Sequence, residues 1–154
     1  MKNRVIDYLK LSKLKVMIPV SLTGFTGYFI FSPHITPDIM LVTTGILLLA
    51  VSASALNQVQ ETATDRKMAR TSSRPLPTGK ITIKNALVFC FLNMAAGTIL
   101  IYSGGNIKAA AAGLFTIFWY NMIYTYAKRL TAFAVIPGAI TGALPPLIGW
   151  IAAG

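Results

Sequence analysis

The stretch Ile39–Gly79, IMLVTTGILLLAVSASALNQVQETATDRKMARTSSRPLPTG, decides how the chain is read. From Ile39 to Leu56 it carries no charge, enough for about 27 Å of helix against a hydrocarbon layer of about 30 Å. The end of this run is rich in small residues (Ala50, Ser52, Ala53, Ser54, Ala55), which let helices approach closely. Nothing in Asn57–Lys67 breaks a helix, so the pattern predicts one long helix that crosses the bilayer and emerges to about Lys67. Arg74-Pro75-Leu76-Pro77-Thr78-Gly79 then forces an irregular loop. Asn57, Glu61 and Asp65 recur at i, i+4 and i+8, a drift of about 80° that keeps them on one helix face.

Outward from this stretch the chain is mostly apolar. Of 154 residues, 55% are hydrophobic and 12% charged, with a mean hydropathy of +0.64. Soluble domains carry roughly 25% charged residues, so the composition predicts an all-α, polytopic transmembrane bundle forming a single membrane domain over 1–154. Five apolar runs are expected to span: Val16–Phe31, Ile39–Leu56, Asn85–Tyr102, Ala109–Ala127 and Ala132–Gly154. Turns fall at Ser32–Asp38 (SPHITPD) and Ser103–Asn106. The fifth run contains Pro137, Pro145 and Pro146, tolerable in a membrane helix only where neighbours satisfy the freed backbone groups.

The net charge of +10 sits between the apolar runs. No basic face is interleaved with aromatic residues, which argues against a nucleic-acid partner. With the N-terminus inside, 13 of the 14 Lys and Arg fall on the cytoplasmic side, in the leader, the Asn57–Lys84 loop and Lys128-Arg129; only Lys108 falls outside. The expected location is an integral membrane protein of a bacterial inner membrane, without a cleavable leader. Val5, Tyr8 and Leu9 share a face that suits an interfacial helix. Lys13 or Lys15 is placed either as a topology anchor or within reach of an anionic ligand. One cysteine (Cys90) and one histidine (His34) exclude an intrachain disulfide, a bis-His haem site and a Cys- or His-based zinc site.

Oxygen ligands on one face suit Mg²⁺, which is held by one or two carboxylates together with substrate phosphates. Asn57, Glu61 and Asp65 are the candidate metal-binding and catalytic residues. Lys67, Arg70 and Arg74 add donors for phosphate oxygens. A polar head site at the mouth of a lipid-accessible pocket fits an isoprenyl diphosphate. The competing reading is a solvated basic loop that meets anionic lipid headgroups. Positive-inside topology does not call for acidic residues there, and their spacing favours function.

Asn57-xxx-Glu61-xxx-Asp65, followed by Met68-x-Arg70-Thr71-x-x-Arg74-Pro75-Leu76 and Gly79, resembles the first aspartate-rich motif of the UbiA-type intramembrane prenyltransferases, within them most the protoheme IX farnesyltransferase branch. Tyr8, Leu11 and Ser12-Lys13 resemble the family's N-terminal segment. Tyr124-Thr125 with Lys128-Arg129 resembles its YxxxK motif, and Gly138, Gly142-Ala143, Pro145-Pro146 and Gly149-Trp150 its glycine-rich fifth helix. The resemblance implies a cytoplasm-facing central cavity, farnesyl diphosphate as donor, Mg²⁺ as cofactor and haem B or another lipophilic acceptor, such as a quinone precursor. It places Asn57, Glu61 and Asp65 on the metal–diphosphate, Arg70, Arg74, Lys128 and Lys67 on diphosphate oxygens, and Tyr124 in the pocket wall. Three positions depart from the pattern. Glu61 stands for the usual Asp, Ala63 for an intermediate acid, and Ala134 for an Asn. The family has about nine helices and a second aspartate-rich motif, so the chain reads as an N-terminal portion whose second metal site another chain would supply, or which is inactive alone.

Overall fold

The computed structural model describes residues 2–154; Met1 and the side chains of Lys2 and Asn3 lie outside the described residues, and with them the Lys2 charge of the basic leader. The described chain is helical, without strands. Its order is α1 (Lys2–Ser12), α2 (Leu14–Phe31), α3 (Pro37–Lys67), α4 (Ile83–Gly104), α5 (Ile107–Phe118), a π-helical segment (Trp119–Tyr124), α6 (Thr125–Leu130), a 3-10 turn (Ala132–Ala134) and α7 (Val135–Ala153).

The long element is α3. Pro37 opens it, where its missing N–H costs nothing, and the Thr36 side chain accepts from Ile39 N. Its 31 residues run to Lys67, as the absence of breakers predicts, and Met68 turns extended. That length is about 46 Å, more than the bilayer core, so the last turns carry Glu61 and Asp65 beyond the apolar layer. Among the described residues four helical stretches are long and apolar enough to cross a membrane: α2, α3, α4 and Ala132–Ala153. The run predicted to span over Ala109–Ala127 is helical from Ile107 to Leu130, but its hydrogen-bond register changes midway.

Two close crossings fix the bundle. α3 packs most extensively on α4, and α2 on α7. A Cβ on Gly45 would lie 2.8 Å from the Gly97 carbonyl oxygen, and one on Gly97 2.8 Å from that of Gly45. On the other pair, a Cβ on Gly27 would press on the Pro146 carbonyl oxygen and one on Gly149 on that of Gly24. Small residues here let backbones touch, the membrane mode of helix packing. Ser52 Oγ donates to Cys90 O at 2.8 Å across α3 and α4, satisfying a hydroxyl in an apolar setting.

The buried apolar centre joins Ile39, Val42, Ile46, Leu49, Ile101 and Ile148, and a second cluster joins Leu11, Ala55, Leu76, Ile81, Ala86 and Cys90. The second cluster matters for the site: Leu76 and Ile81 pin the loop between α3 and α4 beneath α1. Val16, Ile18, Leu22, Phe91, Leu92 and Ile99 point outward, as on a lipid-facing surface. On α1, Val5 and Leu9 remain exposed, while Tyr8 turns inward against Phe89 with ring centroids 5.2 Å apart.

Candidate functional site

The last three turns of α3 form one wall. Asn57 and Asp65 are 2% and 4% exposed, and the Glu61 side chain 17%. Burying carboxylates requires partners, and each has one from a different part of the chain. Asp65 Oδ2 lies 2.6 Å from Arg74 Nη1. Glu61 Oε1 lies 3.0 Å from Lys128 Nζ and 3.6 Å from Arg129 Nη2, both on α6. Asn57 Nδ2 donates to Thr125 Oγ1 at 3.1 Å.

Arg74 reaches Asp65 because the loop folds back. The Asp65 carbonyl accepts from Met68 N at 3.3 Å and from the buried Thr71 Oγ1 at 3.1 Å. Ser72 N then donates to Met68 O at 2.9 Å and Ile81 N to Pro75 O at 3.2 Å. Gly79, at φ 74°, makes the reversal that a side chain would resist. The loop is thus tied to Asp65 through Met68, Thr71 and Arg74, with Pro75 and Leu76 buried behind them.

Lys13 joins from the other side. It breaks α1 from α2 in a left-handed conformation, φ 47° and ψ 42°, unusual for a residue with a Cβ. The Ser12 hydroxyl donates to Tyr8 O at 2.8 Å and Gln58 Nε2 to Leu11 O at 2.6 Å, fastening the end of α1 to α3. Burial lowers the Lys13 pKa from 10.5, Arg74 and Lys128 lower it further, and Glu61 and Asp65 oppose them. Of the two lysines weighed from sequence, Lys13 faces this cluster and Lys15 is exposed.

Above the charges lies an apolar cavity of about 400 Å³ between α2, α3, α5 and α7. Met17, Val20, Ile46, Ala53, Ile117 and Ile148 line it. Ser54, one turn before Asn57, and Tyr120 also line it, so its floor meets the polar wall. Tyr120 stacks on Tyr124 at 5.5 Å between centroids, and Lys128 Nζ sits 5.6 Å from the Tyr124 ring centre. A series of contacts therefore runs from the cavity lining through two aromatic rings to the Lys128–Glu61 pair.

Of the expected residues, the structure brings together Asn57, Glu61, Asp65, Arg74, Tyr124 and Lys128. Lys67 and Arg70 are exposed. The sequence reading missed Arg129 as a partner of Glu61, and Gln60, Asn121 and Thr125 as a polar layer between α3 and the π-helical segment. A signal for Asn121 and Thr125 existed: polar side chains inside an apolar span are functional candidates by default.

Among the described residues no cluster of three or more His, Cys, Asp or Glu side chains could hold a metal unaided. Two carboxylates and an amide on one face do fit Mg²⁺ that draws its other ligands from diphosphate oxygens. The site thus sets two acids against Arg74, Lys128 and Arg129 at one end of an apolar cavity.

Residues 20–154 match the UbiA prenyltransferase family. The mitochondrial protoheme IX farnesyltransferase of Arabidopsis thaliana is 36% identical over 149 residues, covering 95% of this chain and 35% of that protein. Protoheme IX farnesyltransferase 1 of Pseudomonas fluorescens is 37% identical over 150 residues, 96% of this chain and 50% of the relative. The chain spans about half or less of the length of such relatives. In fold it is similar to a digeranylgeranylglyceryl phosphate synthase, at TM-score 0.89 and 23% identity, over 99% of this chain and 54% of that one. It is also similar to a UbiA homolog from Archaeoglobus fulgidus bound to DMAPP and Mg²⁺, at TM-score 0.80 and 19% identity, over 96% and 55%.

Proposed function

Because the chain belongs to the UbiA prenyltransferase family, we propose that it carries the diphosphate half-site of a prenyl transferase, moving a farnesyl group from farnesyl diphosphate to haem B to give haem O. The observation that carries this reading is the junction of an apolar cavity of about 400 Å³ with paired carboxylates and cations at one end. An isoprenyl diphosphate has that same division, a greasy chain and a polyanionic head. The protoheme IX farnesyltransferase relatives support the choice of acceptor.

In this reading Asn57, Glu61 and Asp65 hold Mg²⁺ shared with the diphosphate; when bound, the ion neutralises charge that develops on the leaving group. Arg74, Lys128, Arg129 and Lys13 take the remaining diphosphate oxygens, and Arg74 and Arg129 can do so with two N–H groups each. The allylic C–O bond breaks with its electron pair passing to diphosphate. The cation left behind faces the Tyr120 and Tyr124 rings, whose π faces attract positive charge. The cavity keeps water from it until a vinyl group of the acceptor gives its π electron pair to the new C–C bond; the cation this leaves on the adjacent vinyl carbon is closed by a water molecule, which loses a proton to solvent. The N-terminus and the Asn57–Lys84 loop lie on the cytoplasmic side, where diphosphate is available. A second set of acidic ligands comes from a further chain or segment.

The test is binding of farnesyl diphosphate to the purified chain in lipid nanodiscs, with and without Mg²⁺, beside an E61Q/D65N double variant. Metal-dependent binding that the double variant loses is the expected result. Binding that survives the double change and is copied by any anionic lipid would replace this reading with a headgroup-binding loop.

A further inference from the structure

The π-helical segment Trp119–Tyr124 sits where the proposed site needs its geometry most. Its wide turn is closed by the Thr125 N–H, which bonds the Tyr120 carbonyl five residues back. The Thr125 hydroxyl donates to that same carbonyl at 2.8 Å. The hydroxyl in turn accepts from Asn57 Nδ2 at 3.1 Å. One residue therefore closes the π turn twice, and α3 fixes its rotamer. The next carbonyl, that of Asn121, accepts from Gln60 Nε2 at 3.3 Å, while Asn121 Nδ2 donates to Ile117 O at 3.0 Å. Thr125 is completely buried.

Isolated π turns occur mostly inside α-helices at functional sites, and they carry one residue more than the regular spiral. Closing this one to the α pattern would rotate everything after it by about 100° relative to α5. Tyr124 would leave Tyr120, and Lys128 would leave Glu61. We infer that Thr125 is a positioning residue: its hydroxyl, oriented by Asn57, holds the π turn that places Tyr124 and Lys128 against Glu61. Asn57 then has a duty beyond any bound ligand, coupling the acidic face of α3 to the aromatic path.

The ligand-binding arm of the test rests on the prenyl diphosphate reading; the spectroscopic arm does not. In a W150F background Trp119 is the only tryptophan, and it lies in the π segment with Nε1 donating to Pro137 O at 3.1 Å. T125V keeps the shape of the side chain and removes the hydroxyl, and T125S restores it. T98V removes a hydroxyl that bonds within α4, Thr98 Oγ1 to Met94 O at 2.8 Å, and serves as control. The expected result is a changed Trp119 emission and acrylamide quenching in T125V, with T125S and T98V like the parent. Mg²⁺-dependent farnesyl diphosphate binding should weaken about tenfold in T125V and recover in T125S. An unchanged Trp119 signal in folded T125V, or equal damage from T125S, overturns the inference. Should T125V fail to fold, N57A, which leaves the Thr125 hydroxyl without its donor, replaces it in the Trp119 arm, and an unchanged signal there has the same meaning. Absence of binding in the parent with a Trp119 change in T125V would count against the prenyl diphosphate reading alone.

Discussion

At the scale of single residues, the acids of α3 illustrate how charge survives near an apolar layer. Asp65 has Arg74 on its carboxylate and Thr71 and Met68 on its carbonyl. Asp65→Ala removes one partner and leaves the guanidinium beside a void, a loss on the order of 2–3 kcal/mol when the pair is largely buried. The expected outcome is a lower melting temperature together with faster proteolysis at Met68–Thr82, whereas Arg70→Ala, an exposed position, changes neither. Lys13 gives a pH prediction. Its pKa falls below 10.5 on folding, mainly by burial. At neutral pH its charge therefore opposes folding, and the penalty lifts as pH rises toward 10.5, since the unfolded chain then binds more protons. Lys13→Met should raise thermal stability at pH 7, flatten its alkaline rise, and weaken diphosphate binding. The spacing of Asn57, Glu61 and Asp65 was legible in the sequence because four-residue steps share a helix face whatever the fold. The partners of Arg129 and Thr125 were not, because they lie 60 or more residues away and only packing brings them near.

At the scale of elements, α3 was legible from Ile39 to Lys67, while Pro37 and Asp38, read as the end of a turn, form its first two residues. An uncharged run, no breaker through Lys67 and a proline-rich stop leave few alternatives. The π-helical segment was not, because Trp119–Tyr124 reads like any other apolar stretch and its register is set by side chains from α3. The left-handed break at Lys13 was hidden for a related reason. No glycine marks it, and the cost is met by Gln58 and Leu11 across the interface. The α2–α7 crossing yields a prediction of its own. Gly149→Ala would press a methyl group onto the Gly24 carbonyl. Backbone cannot yield as a flexible side chain does, so the helices must separate, with a loss of about 1–3 kcal/mol. Gly142→Ala, which lies inside α7 and meets no atom within 4 Å, should hold or raise stability, by up to about 1 kcal/mol from helix propensity, and denaturation of the two variants side by side checks the contrast.

At the scale of the molecule, the cavity and the charged cluster make a two-part vessel whose parts can be separated by mutation. Gly142 borders the cavity with open space before it. Gly142→Phe should fill that space, abolishing farnesyl diphosphate binding while inorganic diphosphate with Mg²⁺ still binds. Equal loss of both would mean that the cavity and head site are not independent. The bundle and its polar mouth could be read from hydropathy and the Ile39–Gly79 stretch; the cavity could not, since it belongs to the spaces between four helices. The pairing of every acid in the cluster with a cation of the same chain has a further effect. A Mg²⁺–diphosphate arriving there brings both signs at once: the ion takes over the acids and the anion takes over their former cations. Contacts between opposite charges are exchanged, not accumulated, as when two salts swap partners. Affinity should consequently respond only shallowly to ionic strength, by less than about threefold between low and physiological salt. A flexible basic loop gathering an anion from water would lose far more.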